Sequence, residues 1–307
     1  MRAEFAQAML ALFGARRDLV FITGDLGYMA LEDVAKAYGE SFINAGVAEQ
    51  NAVSLAAGLA RVGQLPWVYS SAPFVVLRPY EQIRNDVCLH RLPVKLVGNA
   101  GGYGHGIMGA THHALEDLGA MRVLPNLRIY VPLTAADVDE VVRMMAEDPL
   151  PNYLRLNSPA QLPEEIPAFA PWRRIKRGRR CVVVGVGPVL GNLYEIGDQD
   201  LLDDMEIWSV GVLPIDDMPA DLATSIREKR RVVTIELPHG IAIIIALILF
   251  FGGVNLLAIA ILGEYVIKIF DESKGRPKFI RKAIRRGGQH LTSATELETF
   301  VQSQNRR

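Results

Sequence analysis

Short apolar runs alternate with longer stretches of helical composition over the first 160 residues of the chain. The runs are rich in β-branched and aromatic residues, which is typical of strands. Strands are predicted at Leu19–Thr23, Ser41–Val47, Trp67–Ser70, Val94–Gly98, Leu127–Val131 and Asn152–Leu156. Helices are predicted between them at Gln50–Val62, Arg78–Leu89, His113–Val123 and Ala135–Ala146. This rhythm, over residues 1–160, indicates a doubly wound α/β domain with a mostly parallel sheet.

The pattern changes after residue 160. Residues 161–180 are rich in Pro and then in Lys and Arg, and they are predicted to form a linker. A second strand–helix series follows over 181–239, with strands predicted at Cys181–Gly187, Met205–Val212 and Arg231–Glu236. Three strands make a thin sheet, so this second α/β domain is expected to be truncated.

The most apolar stretch of the chain is 240–263, in which Asn255 is the only strongly polar side chain. A helix of this length reaches about 35 Å, and a hydrocarbon core is about 30 Å thick. A tail, 264–307, follows and begins with a basic flank. The stretch is therefore predicted to be a hydrophobic, membrane-spanning C-terminal helix, with a buried core helix as the alternative.

The basic flank creates a conflict of topology. The positive-inside rule would place it in the cytoplasm and residues 1–239 on the opposite side of the membrane. Three explanations stay open. The tail is inert in a recombined or misassembled gene, the helix packs on protein, or the folded N-terminal domain overrides the charge bias.

Composition excludes several classes of protein. Lys and Arg number 33 against 34 Asp and Glu, so charge gives no support for a strongly basic nucleic-acid binder. Two cysteines, Cys88 and Cys181, are too few for a disulfide scaffold or a cysteine-only zinc site. The N-terminal residues lack the pattern of a signal peptide. A cytoplasmic location is expected, associated with the inner membrane if 240–263 inserts.

Glu49 is the first candidate for chemistry. It lies between a predicted strand and the helix that follows, and ligands of open α/β sheets bind beyond the carboxyl ends of the strands. The alternative is that Glu49 only favours the helix N-terminus electrostatically. Small residues on every face of that helix predict close packing, as at a subunit interface.

Other candidates have plainer alternatives. His112 and His113 are adjacent, and neighbouring helix positions point about 100° apart, so no metal site is expected from them. Phe74 and the apolar residues after it can equally be core. The glycines of 98–109 allow tight turns and close backbone approach to a ligand, but their spacing is not that of a dinucleotide fingerprint.

Five motifs in the same order carry a specific resemblance. They are GDLG at Gly24–Gly27, NAGVAEQN at Asn44–Asn51, YSSAPFVVLRPYEQIRNDV at Tyr69–Val87, LPVKLVGNAGG at Leu92–Gly102 and GATHHALEDLGAMRVLPNL at Gly109–Leu127. With them, residues 1–160 resemble the pyrimidine-binding domain of transketolases, and most closely the C-terminal subunit of transketolases split over two chains. Residues 181–236 weakly resemble the start of the transketolase C-terminal domain.

The resemblance implies thiamine diphosphate as cofactor and the transfer of a two-carbon ketol unit between sugar phosphates. Glu49 matches the glutamate that hydrogen-bonds N1′ of the aminopyrimidine, and Phe74 matches the ring that stacks on it. Tyr80 and Asp25 are expected as further neighbours of the cofactor. His112 matches a histidine that faces the reacting carbon.

The histidine loop carries two further expectations. His113 and Glu116 are expected at the start of a helix, with Thr111 as its cap. Met108 stands where other transketolases have an acidic residue, four positions before His112. The resemblance therefore does not predict which sugar hydroxyls are recognised.

The same resemblance implies a partner. Transketolases bind the diphosphate and its divalent metal, Mg²⁺ or Ca²⁺, through a separate domain with a GDG motif, and this sequence contains no such triplet. An N-terminal, diphosphate-binding subunit is therefore expected, in a homodimer or heterotetramer. No metal ligand is assigned to this chain itself.

Alternatives to a transketolase remain at this point. A deoxyxylulose-phosphate synthase or the β subunit of a 2-oxo acid dehydrogenase would use the same cofactor. From another class, the chain could be a catalytically silent, truncated module attached to a membrane. Residues 241–286 resemble the last membrane helix and tail of polyprenyl-phosphate glycosyltransferases, through GGVNLL, LGEY and KGRP. No glycosyltransferase activity is inferred from them.

Overall fold

The structure, a computed structural model, describes residues 1–162, 165–195, 199–235, 266, 284–286, 289–291 and 293–304. The chain divides into two compact units, Met1–Ile245 and Ala246–Arg307. In the second unit, β12 (Ile284–Arg286) pairs antiparallel with β13 (Gln289–Leu291), and a helix, α11, spans Ala294–Gln304. All that follows concerns the first unit.

The strands of the first unit form two sheets. They are β1 (Leu19–Thr23), β2 (Phe42–Asn44), β3 (Leu65–Ser71), β4 (Lys95–Asn99), β5 (Arg128–Tyr130), β6 (Asn152–Arg155), β7 (Trp172–Lys176), β8 (Cys181–Val186), β9 (Met205–Val210), β10 (Val212–Leu213) and β11 (Val232–Ile235).

The helices pack around these strands. They are α1 (Arg2–Ala15), α2 (Glu32–Tyr38), α3 (Glu49–Arg61), α4 (Ala72–Leu77), α5 (Tyr80–Gln82), α6 (Asp117–Arg122), α7 (Asp137–Glu147), α8 (Gly191–Glu195), α9 (Gln199–Asp203) and α10 (Ala220–Lys229). The predicted helix Arg78–Leu89 is realised as α5 followed by π-helical turns at Ile83–Cys88.

The larger sheet has the strand order β10-β5-β6-β4-β3-β1-β2. Neighbouring strands are parallel except β10, which runs antiparallel to β5. The predicted α/β class with a mostly parallel sheet is confirmed. Because the chain goes from β1 to β2 on one side and then to β3 on the other, the strand order reverses at β1. Such a switch point opens a crevice at the carboxyl ends of the strands.

Alternation along β1 explains the layers on both faces of this sheet. Successive strand side chains point to opposite faces. Val20 and Ile22 belong to the core that packs under α3 and α6, whereas Leu19 and Phe21 belong to the core under α1 and α7. Every residue of β1 is buried, as expected for a central strand of a doubly wound sheet.

The smaller sheet has the order β11-β8-β9-β7, with β7 antiparallel to β9 and the other pairs parallel. Its strand β7 lies inside 161–180, the segment predicted as a linker. The basic residues there are typical of a solvated connection, but Arg173 is 2% exposed and makes two hydrogen bonds of 2.7 Å to Asp137. Pairing of this charge with α7 allows the segment to pack as a strand.

Residues 240–263, predicted to cross a membrane, lie outside the described residues. So do the predicted end of the second domain at 239 and most of the tail 264–307. Within the ranges given above, none of the helices combines the length and the apolar character that a membrane span requires. The membrane attachment of this chain stays a prediction.

A buried ion pair joins β6 to α6. Arg155 donates to both carboxylate oxygens of Asp117, at 2.7 and 3.1 Å, and the hydroxyl of Tyr153 donates to the same carboxylate at 2.9 Å. The Asp117 and Arg155 side chains are 1% and 4% exposed. Arg155 also donates to the carbonyl of Ala114, at 3.2 Å. The pair therefore holds the chain just before α6 against the sheet.

Replacing Asp117 by Asn should destabilise the protein by about 3–5 kcal/mol, because Arg155 would remain buried without a counter-charge. Urea unfolding of D117N against the unsubstituted chain measures the difference. Asp139→Asn is the matched control, because the Asp139 carboxylate is 58% exposed in its pair with Arg143 and its loss should cost at most about 0.5 kcal/mol. Equal effects of the two substitutions would contradict the assigned role of the buried pair.

Candidate active site

Three of the predicted site residues follow the strands at the switch point. Asp25 comes after β1, Glu49 after β2, and Phe74 in the helix after β3. The loops after β1 and β2 touch, since a Cβ on Gly24 would lie 3.0 Å from the carbonyl oxygen of Gly46. This close approach requires glycine at position 24 and keeps the two loops together at one edge of the sheet.

Glu49 is the first residue of α3 and is only 6% exposed. Its Oε2 accepts a hydrogen bond from Nη1 of Arg78 at 2.8 Å, and its Oε1 accepts a longer one from the hydroxyl of Ser70 at 3.4 Å. A carboxylate in the first helical turn is also favoured by the helix dipole. The electrostatic role considered for Glu49 and a ligand-facing role are therefore compatible.

Phe74 lies one helical turn before Arg78 and is partly buried. The Cζ atom of Arg78 lies 4.0 Å from the centroid of the Phe74 ring, which is a cation–π contact. Residues four apart share a helix face, and this spacing over α4 brings the two side chains together. The neighbours Val75 and Val76 are fully buried, so the apolar run after Phe74 is core, whereas Phe74 itself is not fully buried.

His112 completes a continuous group with Glu49, Arg78 and Phe74. The His112 and Phe74 rings are 5.1 Å apart between centroids and inclined at 68°. Nδ1 of His112 lies 3.0 Å from Oγ1 of Thr111. This contact constrains the tautomer of the ring and leaves Nε2 for a ligand.

His105 extends the group beyond His112. Its ring centroid is 5.7 Å from that of His112, with the rings nearly perpendicular, and its Nε2 lies 3.1 Å from Oγ of Ser71. Burial lowers the pKa of His105 below 6.5, and the neighbouring His112 and His113 lower it further. A neutral imidazole beside His112 is therefore favoured near pH 7.

The histidine loop differs from its prediction. The helix begins at Asp117, not at His113, because Ala114 exchanges two backbone hydrogen bonds with Gly102 in an extended bridge. Thr111 contacts His112 and does not cap a helix, and Nε2 of His113 lies 2.9 Å from the carbonyl oxygen of Gly106. The expected helix-start roles of Thr111, His113 and Glu116 are thus wrong.

Tyr80 and Asp25 have other contacts. The hydroxyl of Tyr80 donates to the carbonyl of Ala120 at 2.9 Å, and its ring packs against the core. Asp25 is exposed and accepts a weak hydrogen bond from Tyr28, at 3.4 Å. Neither residue is brought into the group around Glu49 by these contacts, and their roles beside a cofactor stay predictions.

Three members of the group were not anticipated from the sequence. Arg78 could have been found, because an aromatic and an arginine four apart predict a stacked pair on one helix face. His105 and Ser70 gave no such indication, since their positions depend on the loop after β4 and on the end of β3. Within the described parts of the chain, no three His, Cys, Asp or Glu side chains converge as a metal site would require.

Comparison with known proteins agrees with this geometry. The family model of the transketolase pyrimidine-binding domain matches residues 1–161. One of the two kinds of chain of an apulose-4-phosphate transketolase from Phocaeicola vulgatus is 36% identical over 160 residues, which are 52% of this chain and 51% of that protein. The chain is thus aligned with about half the length of this relative.

Two further relatives extend the match. A 1-deoxy-D-xylulose-5-phosphate synthase 1 from Kitasatospora griseola is 34% identical over 242 residues, covering 76% of this chain and 36% of that protein. The solved structure of a split-gene transketolase, described as an inactive β4 tetramer, is 32% identical with a TM-score of 0.66. That superposition covers 76% of this chain and 78% of the other.

The doubly wound sheet and the carboxylate–aromatic group at its switch point define a ligand-binding α/β protein. With the family match over more than half of its length, the chain belongs to the transketolase pyrimidine-binding domain family.

The histidine pair gives a prediction for solution. In a proton NMR titration His105 should titrate below its ordinary pKa of 6.5, because burial disfavours its charged form. His112→Ala should raise that pKa part of the way back, since it removes one like charge but not the burial. The exposed His90→Ala should leave it unchanged. Titration of His105 at or above 6.5 in the unsubstituted chain would contradict the described packing.

Proposed function

We propose that this chain is the pyrimidine-binding subunit of a thiamine-diphosphate enzyme of the transketolase type. The single observation that carries the proposal is the buried carboxylate of Glu49 beside the Phe74 ring, at the switch point of a parallel sheet. A ring that carries a hydrogen-bonding nitrogen and a flat face needs both groups. The membership of the family makes an aminopyrimidine the ring expected there.

The residues present fit such a cofactor. Glu49 would hold the ring nitrogen N1′ through a carboxylate oxygen, and Phe74 would support the ring by stacking, worth about 0.5–1.5 kcal/mol beyond buried area. When bound, thiamine diphosphate supplies the carbon nucleophile that takes up the transferred two-carbon unit. This chain contributes the proton exchange at Glu49 and a surface that excludes water from it.

His112 is proposed to act on the substrate. Its ring lies against Phe74, and its Nδ1 is engaged by Thr111, so its Nε2 can donate to or accept from a substrate oxygen. A lowered pKa of the adjacent His105 limits positive charge beside it. Ketol transfer requires protons to move at hydroxyl and carbonyl oxygens, and an imidazole suits that task near neutral pH.

A second subunit is proposed to complete the site. Large apolar side chains are exposed in the loops at the carboxyl edge of the sheet, with Met29 91%, Val47 77% and Ile107 fully exposed. Such side chains, clustered beside a ligand site, mark interaction surfaces. We assign the diphosphate and its Mg²⁺ or Ca²⁺ to that partner, in an assembly with the symmetry of a dimer or heterotetramer.

Sugar phosphates are the proposed substrates. The relative in Phocaeicola vulgatus is named for apulose 4-phosphate, which supports a phosphorylated sugar as the class without fixing the sugar. A second candidate is deoxyxylulose-phosphate synthesis, favoured by the longer alignment with the synthase. Product analysis separates them, because a ketol donor leaves a shortened aldose and the synthase reaction consumes a 2-oxo acid.

Glu49→Gln should lower the rate of ketol transfer by about 10²–10⁴-fold, because an amide cannot exchange a proton with the ring nitrogen. The assay is the reconstituted complex with the diphosphate-binding subunit, with sugar products separated and identified. Bound thiamine diphosphate should change far less, since the stacking on Phe74 remains. Glu81→Gln, in the exposed turn after α4, is the matched control and should be fully active.

Phe74→Ala separates this account from a catalytically silent module. Under the enzyme proposal it weakens retention of thiamine diphosphate by the complex, measured by equilibrium dialysis. Absence of retention by the unsubstituted complex, or full activity of E49Q, would sink the proposed function.

Ile107→Asp should weaken the association of this chain with its partner at least about tenfold, because a charge would be buried in the apolar contact. Analytical ultracentrifugation of the mixed chains measures it. Val62→Asp is the control, because Val62 is 74% exposed at the opposite end of α3. Unaltered association of I107D would argue against this edge as the interface.

A further inference from the structure

Arg78 contacts both groups that the proposed function assigns to the aminopyrimidine. Its Nη1 donates to Oε2 of Glu49 at 2.8 Å, and its Cζ lies 4.0 Å from the centroid of the Phe74 ring. One guanidinium thus satisfies the carboxylate and covers the aromatic ring at the same time. No role for this residue follows from the roles already given to Glu49 and Phe74.

The chemistry of the two occupants is alike. A guanidinium is planar, presents N–H donors in a fixed fork to a carboxylate, and stacks on aromatic faces. An aminopyrimidine is also planar, carries an N–C–N unit that pairs with a carboxylate, and stacks in the same way. A site built from Glu49 and Phe74 accepts either one.

We propose that Arg78 is an internal competitor of the aminopyrimidine, and that cofactor binding is an exchange in which its guanidinium leaves Glu49 and Phe74. This inference rests on the proposed function. It adds a residue that sets the affinity of the subsite, and it makes the chain on its own a form in which the buried carboxylate is already paired.

The surroundings of Arg78 permit the exchange. Its side chain is 42% exposed, whereas that of Glu49 is 6% exposed. Arg78 directly follows α4, and its long side chain can rotate into water without a change of the backbone. Glu49 is fixed in the first turn of α3 and keeps its contact with Ser70. The mobile partner of the pair is therefore Arg78.

The exchange weakens the apparent affinity for the cofactor. An affinity is reduced by the fraction of molecules that are competent to bind, so a contact held in nine molecules out of ten costs about tenfold. Removing the guanidinium should then tighten binding by about tenfold, which corresponds to about 1.4 kcal/mol.

The test is equilibrium binding of thiamine diphosphate with Mg²⁺ by the full chain in complex with the diphosphate-binding subunit. Arg78→Ala should bind about tenfold more tightly than the unsubstituted complex. Arg78→Lys should lie between them, because an ammonium keeps the charge but not the planar fork. Arg84→Ala is the matched control, because Arg84 is exposed further along the chain and pairs with Asn85, and it should leave the affinity unchanged.

A spectroscopic signature follows the guanidinium directly. The side-chain protons of Arg78 lie over an aromatic ring, so their resonances should be shifted by its ring current and should move towards those of a free arginine on saturation with the cofactor. Phe74→Leu removes the ring and identifies the resonances. This measurement reports a displacement that a purely structural role of Arg78 would not produce.

The outcomes separate the exchange from the function on which it rests. Unchanged or weaker binding by R78A, or resonances of Arg78 that stay in place on saturation, would overturn the exchange while the cofactor still binds. It would mean that Arg78 remains beside the ring, or that its charge attracts the diphosphate. Absence of binding by every complex, the unsubstituted one included, would overturn the proposed function and the exchange together.

Discussion

The site depends on one carboxylate that is held out of water. An ionised Glu49 buried without a partner would cost several kcal/mol, so the groups around it have to offset that cost. The hydrogen bond from Arg78, the hydroxyl of Ser70 and the N-terminus of α3 do so together. The position of α3 at the end of β2, and the four-residue spacing of Phe74 and Arg78, both follow from the need to surround this carboxylate.

A second charge, deeper in the molecule, controls where the histidines lie. Asp117 and Arg155 are paired beneath the loop that follows β4, and Arg155 also holds the carbonyl of Ala114. The loop between Gly102 and Ala114 is anchored at both ends by their bridge, while its apolar tip at Ile107 is exposed. A rigid base with an exposed apolar tip suits a site wall that another subunit completes.

Sequence reasoning is most accurate where burial alone decides structure. The central strands and α3 are predicted to within about two residues, because apolar periodicity reports burial directly. The prediction is wrong where a distant charge decides, since β7 forms in the predicted linker through the contact of Arg173 with Asp137. The start of α6 is misplaced for a similar reason, because the bridge between Gly102 and Ala114 is a contact between residues far apart in sequence. Glu49, Phe74 and His112 are identified together through their motifs, whereas Arg78 and His105 emerge only from their contacts.

The most direct test of the central claim is a crystal structure of the chain bound to its partner subunit, thiamine diphosphate and Mg²⁺. The account predicts N1′ of the aminopyrimidine within hydrogen-bonding distance of the Glu49 carboxylate, with Phe74 stacked against the ring. A cofactor ring bound elsewhere, with Glu49 facing water or still joined to Arg78, would contradict it.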